Sequence, residues 1–170
     1  TAHGFKSVRL RYFNAGGAVD GFGENHVPES HLIPRILDTA ARGGTVRVFG
    51  TDYPTPDGSC VRDYVHVADL AEAHLLAANY LMDGGATDMF NLGTGDGYSV
   101  LEVIETARRV IGRDIDYRIC DRRPGDTARL VASPEKARNI LRWPDEVRTL
   151  DEIVESAWDW KCTHPDGYGG

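Results

Sequence analysis

The segment Gly50-Thr-Asp-Tyr-Pro-Thr-Pro-Asp-Gly-Ser-Cys-Val-Arg-Asp-Tyr-Val-His-Val-Ala-Asp69 joins a turn-rich loop to a strand that opens on an arginine. Pro54, Pro56 and the Asp57-Gly58 dipeptide force a tight turn, because proline fixes φ and Asp-Gly tolerates turn conformations that other residues resist. In an extended strand residues two apart share a face, so Arg62 and Tyr64 are expected on one side, with Val61, Asp63 and Val65 on the other. An arginine delivered beside such a loop suits a phosphate; an isolated Arg-Asp doublet would more simply form a structural ion pair.

The remainder of the chain sets the context for that segment. Its 170 residues, 41% hydrophobic and 26% charged, are enough to bury one core in a mixed α/β arrangement. The net charge of -7 and the isoelectric point near 5.3 argue against a nucleic acid or an anionic membrane as partner, both of which call for a basic face. An anionic ligand would then be met by local arginines. Cys60, Cys120 and Cys162 are odd in number and far apart, which fits reduced thiols in a cytoplasmic protein. No apolar run reaches membrane-span length and no secretory signal is visible. The chain starts at Thr1 and enters a strand-like run almost at once, as expected of a piece cut from a longer protein.

Periodicity and punctuation predict the elements. Val8, Leu10 and Tyr12 alternate with Arg9 and Arg11 in a strand from Ser7 to Phe13, and the glycine-rich run after Asn14 predicts a loop to about Ser30. Leu32, Ile33, Ile36, Leu37 and Ala40 have helical spacing that stops at Gly43-Gly44, and Val46 and Val48 begin a short strand. A helix is expected over 67–82, a strand over 89–92 and another over 115–119. Ser99 with Glu102, and Thr149 with Glu152, are capping boxes that open helices. Ser133-Pro134 begins a short helix. Gly93-x-Gly95-x-Gly97 follows a strand and precedes a helix, but Tyr98 stands where a dinucleotide fingerprint needs its third glycine. It reads as a tight turn.

Asp52-Tyr-Pro-Thr-x-Asp-Gly with Arg62-Asp-Tyr-Val-His closely resembles the signature of the UDP-galactose (UDP-glucose) 4-epimerases of the extended short-chain dehydrogenase/reductase family. Arg11-Tyr-Phe-Asn, Asn91-Leu-Gly, Arg122-Arg-Pro-Gly-Asp126 and the terminal His164-Pro-Asp-Gly-Tyr168 carry the same resemblance over nearly the whole chain. It implies the C-terminal part of a Rossmann-type α/β enzyme, including its substrate-binding subdomain. It implies Arg62 and Arg123 on the diphosphate of a UDP-sugar, Asp126 on ribose hydroxyls and Asn14 on the diphosphate or sugar. Tyr64 would share the Arg62 face, His31 and Leu32 would lie beside the diphosphate and uridine, and Arg47, Val48 and Phe49 would approach uracil. Leu130 would limit the hexose 2-substituent, and Tyr12 and Phe13 would lie near NAD. Guanidinium suits the phosphate role, since its donor fork matches phosphate oxygens and stays charged. His26, His31, His66 and His74 lack the spacing of a metal site, and none is expected.

In the family the base is a tyrosine followed four residues later by lysine. No tyrosine of this chain has lysine at that offset, and no G-x-G-x-x-G occurs. Residues 1–170 are therefore expected to be the UDP-sugar half of an epimerase that passes a hydride from sugar C4 to NAD and back, with the NAD-binding half and the catalytic dyad absent. Its partner would be that missing half or another copy. A related nucleotide-sugar dehydratase or decarboxylase, and a non-catalytic UDP-binding fragment, are the alternatives. The 170-residue chain mixed with NAD is expected to give no UDP-glucose/UDP-galactose interconversion in a coupled assay; measurable turnover would overturn this division of labour.

Overall fold

The computed structural model describes residues 4–168. It opens with β1 (Val8–Tyr12) and, after Phe13, β2 (Asn14–Gly16). This extended run changes partner midway. β1 lies parallel to β6 (Asp88–Leu92), Phe13 donates its N–H to Leu92, and β2 then lies parallel to β5 (Tyr64–His66). The glycine-rich stretch is thus strand at its start, where a loop was expected. Small residues are needed there, because a Cβ at Gly16 would sit 2.8 Å from Ile153 and one at Gly17 2.6 Å from the His66 ring.

Helix α1 (Leu32–Arg42) ends at Gly43 and leads to β3 (Val46–Phe49), which is parallel to β8 (Tyr117–Cys120). Strand β8 begins two residues later than the alternation over 115–119 suggested; Ile115 is instead fully buried in the core. The expected strand through Arg62 breaks at Asp63 into β4 (Val61–Arg62) and β5. β4 pairs antiparallel with β7 (Tyr98–Ser99) and parallel with β9 (Arg129–Leu130). Helices α2 (Val67–Met82), α3 (Val100–Ile111) and α4 (Leu150–Thr163) follow the predicted bounds. Both capping boxes form. The short helix predicted after Pro134 includes a π-helical turn at Ala137–Leu141.

Two cores lie on either side of β5. Tyr64 packs with Ile36, Ile104 and Ile153 of α1, α3 and α4, while its neighbour Val65 packs with Leu70, Phe90 and Trp143. Adjacent strand residues point to opposite faces, so a strand covered on both sides must be apolar on both. His66 within β5 and Asp63 just before it interrupt that rule, and both are buried.

Asp63 is fully buried and its carboxylate accepts from Thr94 N, Thr94 Oγ1, Gly95 N and Ala132 N at 2.7–3.2 Å. Its carbonyl accepts from Asn14 N and Asn14 Nδ2, and its N–H donates to Leu130. The glycine turn after β6 exists for this packing: a Cβ at Gly93 would overlap Ala132 and the Asp63 carboxylate. Stranding buried donors costs more than the net worth of the bonds they made. Asp63→Ala is expected to lower stability by about 3–5 kcal/mol in urea unfolding, and Asp63→Asn by less because one acceptor oxygen remains. Equal stability of Asp63→Ala and the parent chain would refute the linchpin role.

His66 caps α2, its Nδ1 accepting from Ala68 N while Nε2 lies 3.0 Å from Ser156 Oγ. That network assigns the proton to Nε2. Burial, reinforced by Arg148 and opposed by Asp69 and Glu152, holds the His66 pKa below its ordinary 6.5. The unfolded chain therefore takes up a proton first as pH falls below about 6.5, and this contribution to stability is lost toward the lower folded value. The melting temperature is expected to fall between pH 7.5 and 5.5, and less so in His66→Asn, which keeps a capping side chain. An unchanged pH slope in that variant would contradict the assignment.

Candidate functional site

A cavity of about 680 Å³ opens where the C-terminal ends of β2, β3 and β4 meet the loops that follow β2 and β8. Of the residues singled out in the sequence, it brings together Phe13, Asn14, His31, Leu32, Arg47 and Phe49, together with Arg62, Tyr64, Arg123 and Asp126. Three others stand apart. Val48 is buried in the core of α1, α3 and α4 because β3 alternates, so its side chain points away from the neighbours Arg47 and Phe49. Tyr12 packs beside His74 with ring centroids 5.9 Å apart, and Leu130 is half exposed on β9.

The arginines have distinct environments. Arg62 is held by the carbonyls of Val61 and Thr127, both at 2.9 Å, and by the Asp126 carboxylate at 3.3 Å. It is thus fixed before any ligand arrives. Arg123 lies over the Phe49 ring at 3.7 Å, and Arg47 lies 5.3 Å from the same ring. Among the described residues neither Arg47 nor Arg123 forms an ion pair. The ring therefore presents two cations whose charge is available to an anion, in a protein whose net charge is -7.

The doublet Arg122-Arg123 splits its duties. Arg122 donates from Nε to Asp52 Oδ1 at 2.7 Å and from Nη2 to Asp52 O at 2.6 Å, and stacks 4.0 Å from the Tyr53 ring centroid. Its hydrogen bond to Asp52 lowers the carboxyl pKa and raises its own. The loop before β4 is closed by Asp57, which accepts from Ser59 N and Ser59 Oγ at 2.8 Å and from Ser99 Oγ. Gly58 turns at φ 80°, where a side chain would strike the Thr51 carbonyl. This locks β4, with Arg62, to the capped start of α3.

Asn14 spends one amide donor on the Asp63 carbonyl, 2.7 Å away, and lines the cavity with the rest of its side chain. Tyr64 is buried at the cavity floor, and that burial raises its phenol pKa. Cys60 and Glu24 also line the wall, and the sequence reading passed over both. Glu24 accepts at 2.5 Å from His31 Nδ1. With His26, these two place donor atoms within 4.8 Å of one another on an exposed loop. Nothing in their spacing along the chain announced that meeting, since the loop between β2 and α1 has no periodicity.

The Gly93–Gly97 turn is filled by Asp63, Ala132, Val61 and Val131, so its backbone is closed to a pyrophosphate. Among the described residues no helix is long and apolar enough to cross a membrane.

This is an α/β unit of mostly parallel strand pairs with an arginine-lined cavity at the strand ends, the place where open α/β sheets take their ligands. Residues 1–93 match the NAD dependent epimerase/dehydratase family, and the chain belongs to it. It is 50% identical to the UDP-glucose 4-epimerase of Lacticaseibacillus casei, over 99% of this chain and 52% of that protein. To the UDP-glucose 4-epimerase of Halalkalibacterium halodurans it is 52% identical, over 98% of this chain and 51% of that one. The crystal structure of the Bifidobacterium longum UDP-glucose 4-epimerase in complex with NAD+ and UDP superposes with a TM-score of 0.88 at 40% identity, over 97% of this chain and 50% of that one. The fold is thus that of part of a Rossmann-type extended short-chain dehydrogenase/reductase epimerase, and the chain spans about half the length of the relatives it matches.

Proposed function

We propose that the chain is the nucleotide-sugar-binding half of a UDP-glucose 4-epimerase, a reading supported above all by the convergence of Arg47, Arg62, Arg123 and Asn14 on one cavity in a chain about 50% identical to such enzymes along its length. Arg62, on β4, and Arg123, in the loop after β8, bind the diphosphate. Asp126, already paired to Arg62, meets the ribose hydroxyls, and Phe49, flanked by Arg47 and Arg123, lies against the uracil. His31 and Leu32 border the same ligand. NAD, held chiefly by residues outside this chain, supplies the hydride chemistry when bound, and Phe13 borders it.

This half holds UDP while leaving the hexosyl group free to turn, since a grip on the sugar as firm as that on UDP would oppose the exchange of its two faces. Three free cysteines support a cytoplasmic setting. The partner is the NAD-binding half of the same protein. Among the described residues β1 pairs only with β6, leaving one edge open. Tyr12 and Met89, on β1 and β6, are exposed, as a face awaiting a further layer would be.

In the full-length protein Arg123→Ala is expected to weaken UDP about tenfold to a hundredfold by calorimetry, one charge-assisted phosphate contact being worth roughly 1.5–3 kcal/mol. Arg122→Ala, which loses the Asp52 tie and the stacking on Tyr53, should weaken it far less. Equal affinity of Arg123→Ala and the parent would reject the assignment. The isolated 170-residue chain is expected to associate in light scattering, and its Val8–Tyr12 amides to exchange rapidly as a monomer. A stable monomer with strong protection there would show that β1 needs no partner.

A further inference from the structure

Between β2 and α1 the chain crosses the mouth of the cavity without helix or strand, apart from a reverse turn closed by Val19 and Phe22. A loop of this kind needs fastening if the side chains it carries are to keep one position. The fastening comes from the C-terminal end of the chain. Tyr168 Oη donates to Gly23 O at 2.8 Å and accepts from Gly23 N at 3.0 Å, satisfying both backbone groups of one residue. The buried Trp160 ring lies directly under Gly23, where any Cβ would overlap it, and Trp160 Nε1 donates to Glu24 O at 3.3 Å. Trp160 is in turn stacked on His164 at 3.7 Å and tilted against Tyr168 at 4.8 Å. Gly167 packs on the Asn25 carboxamide, and Arg42 donates to the Pro165 carbonyl at 2.7 Å.

The fastened residues reach the cavity. Gly23, Glu24 and His31 all line it, and the Glu24 carboxylate holds His31 Nδ1. We propose that Tyr168, seated on Trp160, is a positioning residue for the nucleotide-sugar cavity: it fixes Gly23 and Glu24 so that Glu24 keeps His31 at the cavity wall. The tie is local and partly solvent-exposed, and neither Tyr168 nor Trp160 belongs to either core, so loss of the Tyr168 hydroxyl releases the loop without unfolding the protein. The proposal deepens the function above and rests on it.

The test is Tyr168→Phe in the full-length protein, which removes the hydroxyl and keeps the ring on Trp160. Three readouts are compared with the parent: hydrogen exchange at Gly23 and Glu24, UDP affinity by calorimetry, and KM against kcat for UDP-glucose. Exchange there should quicken about fivefold or more. The UDP Kd and the KM should rise about three- to tenfold with kcat and the melting temperature little changed. Unchanged exchange, faster exchange with unchanged Kd and KM, or a fall in melting temperature with all parameters moving together would each overturn the clamp. A parent protein that binds no UDP is a different failure: it removes the reading of the cavity, and the clamp's purpose with it.

Discussion

The fold hangs on a buried carboxylate. Asp63 lies where one extended run breaks into β4 and β5, and its side chain and backbone together engage β2, β9, the turn after β6 and the segment ending at Ala132. A buried anion is tolerated only when donors surround it. Here backbone N–H groups of Gly95, Ala132 and Thr94 do so, each contributed by chain that would otherwise be irregular. The preceding residue, Arg62, faces the cavity, its guanidinium held by the carbonyls of Val61 and Thr127.

Those contacts preorganise the arginine side of the cavity. Arg62 is locked by three acceptors and Arg123 rests on a ring that β3 supplies, so little rotamer freedom remains to be lost on binding. Arg122 shows the contrast. One position earlier in the same loop it is consumed by Asp52 and Tyr53 and holds the loop itself. Two arginines of identical chemistry are thus divided between a loop tie and the cavity wall by which side of the chain each occupies.

Much of this was legible in the sequence where a local signal existed. The capping boxes at Ser99 and Thr149 and the apolar spacing from Leu32 gave helices whose ends agree with the structure, because those signals act within one turn. The break at Asp63 was not legible. A period-two pattern through Val61–Val65 fits one strand, and only the distant Thr94, Gly95 and Ala132 make a kink preferable. β2 was hidden for a related reason: glycine weakens a strand by propensity, yet here close approach to Ile153 and His66 requires it. At the cavity, the motif residues Arg62, Arg123 and Asp126 could be named in advance, whereas Glu24 could not, since its place depends on contacts with Trp160 some 136 positions away.

The two sides of the cavity consequently differ in how they are stabilised. Arg47 and Arg62 stand on β3 and β4, which the core packing holds, and Arg123 rests on the Phe49 ring of β3. The opposite wall, carrying Glu24 and His31, is a loop tied by a few hydrogen bonds to the end of the chain. Local opening free energies follow buried contact, so the loop side opens first and the arginine side last. The cavity therefore joins a wall held by strand pairing to one that can yield, an inequality set by where the cores lie and not by the chemistry of the side chains that line it.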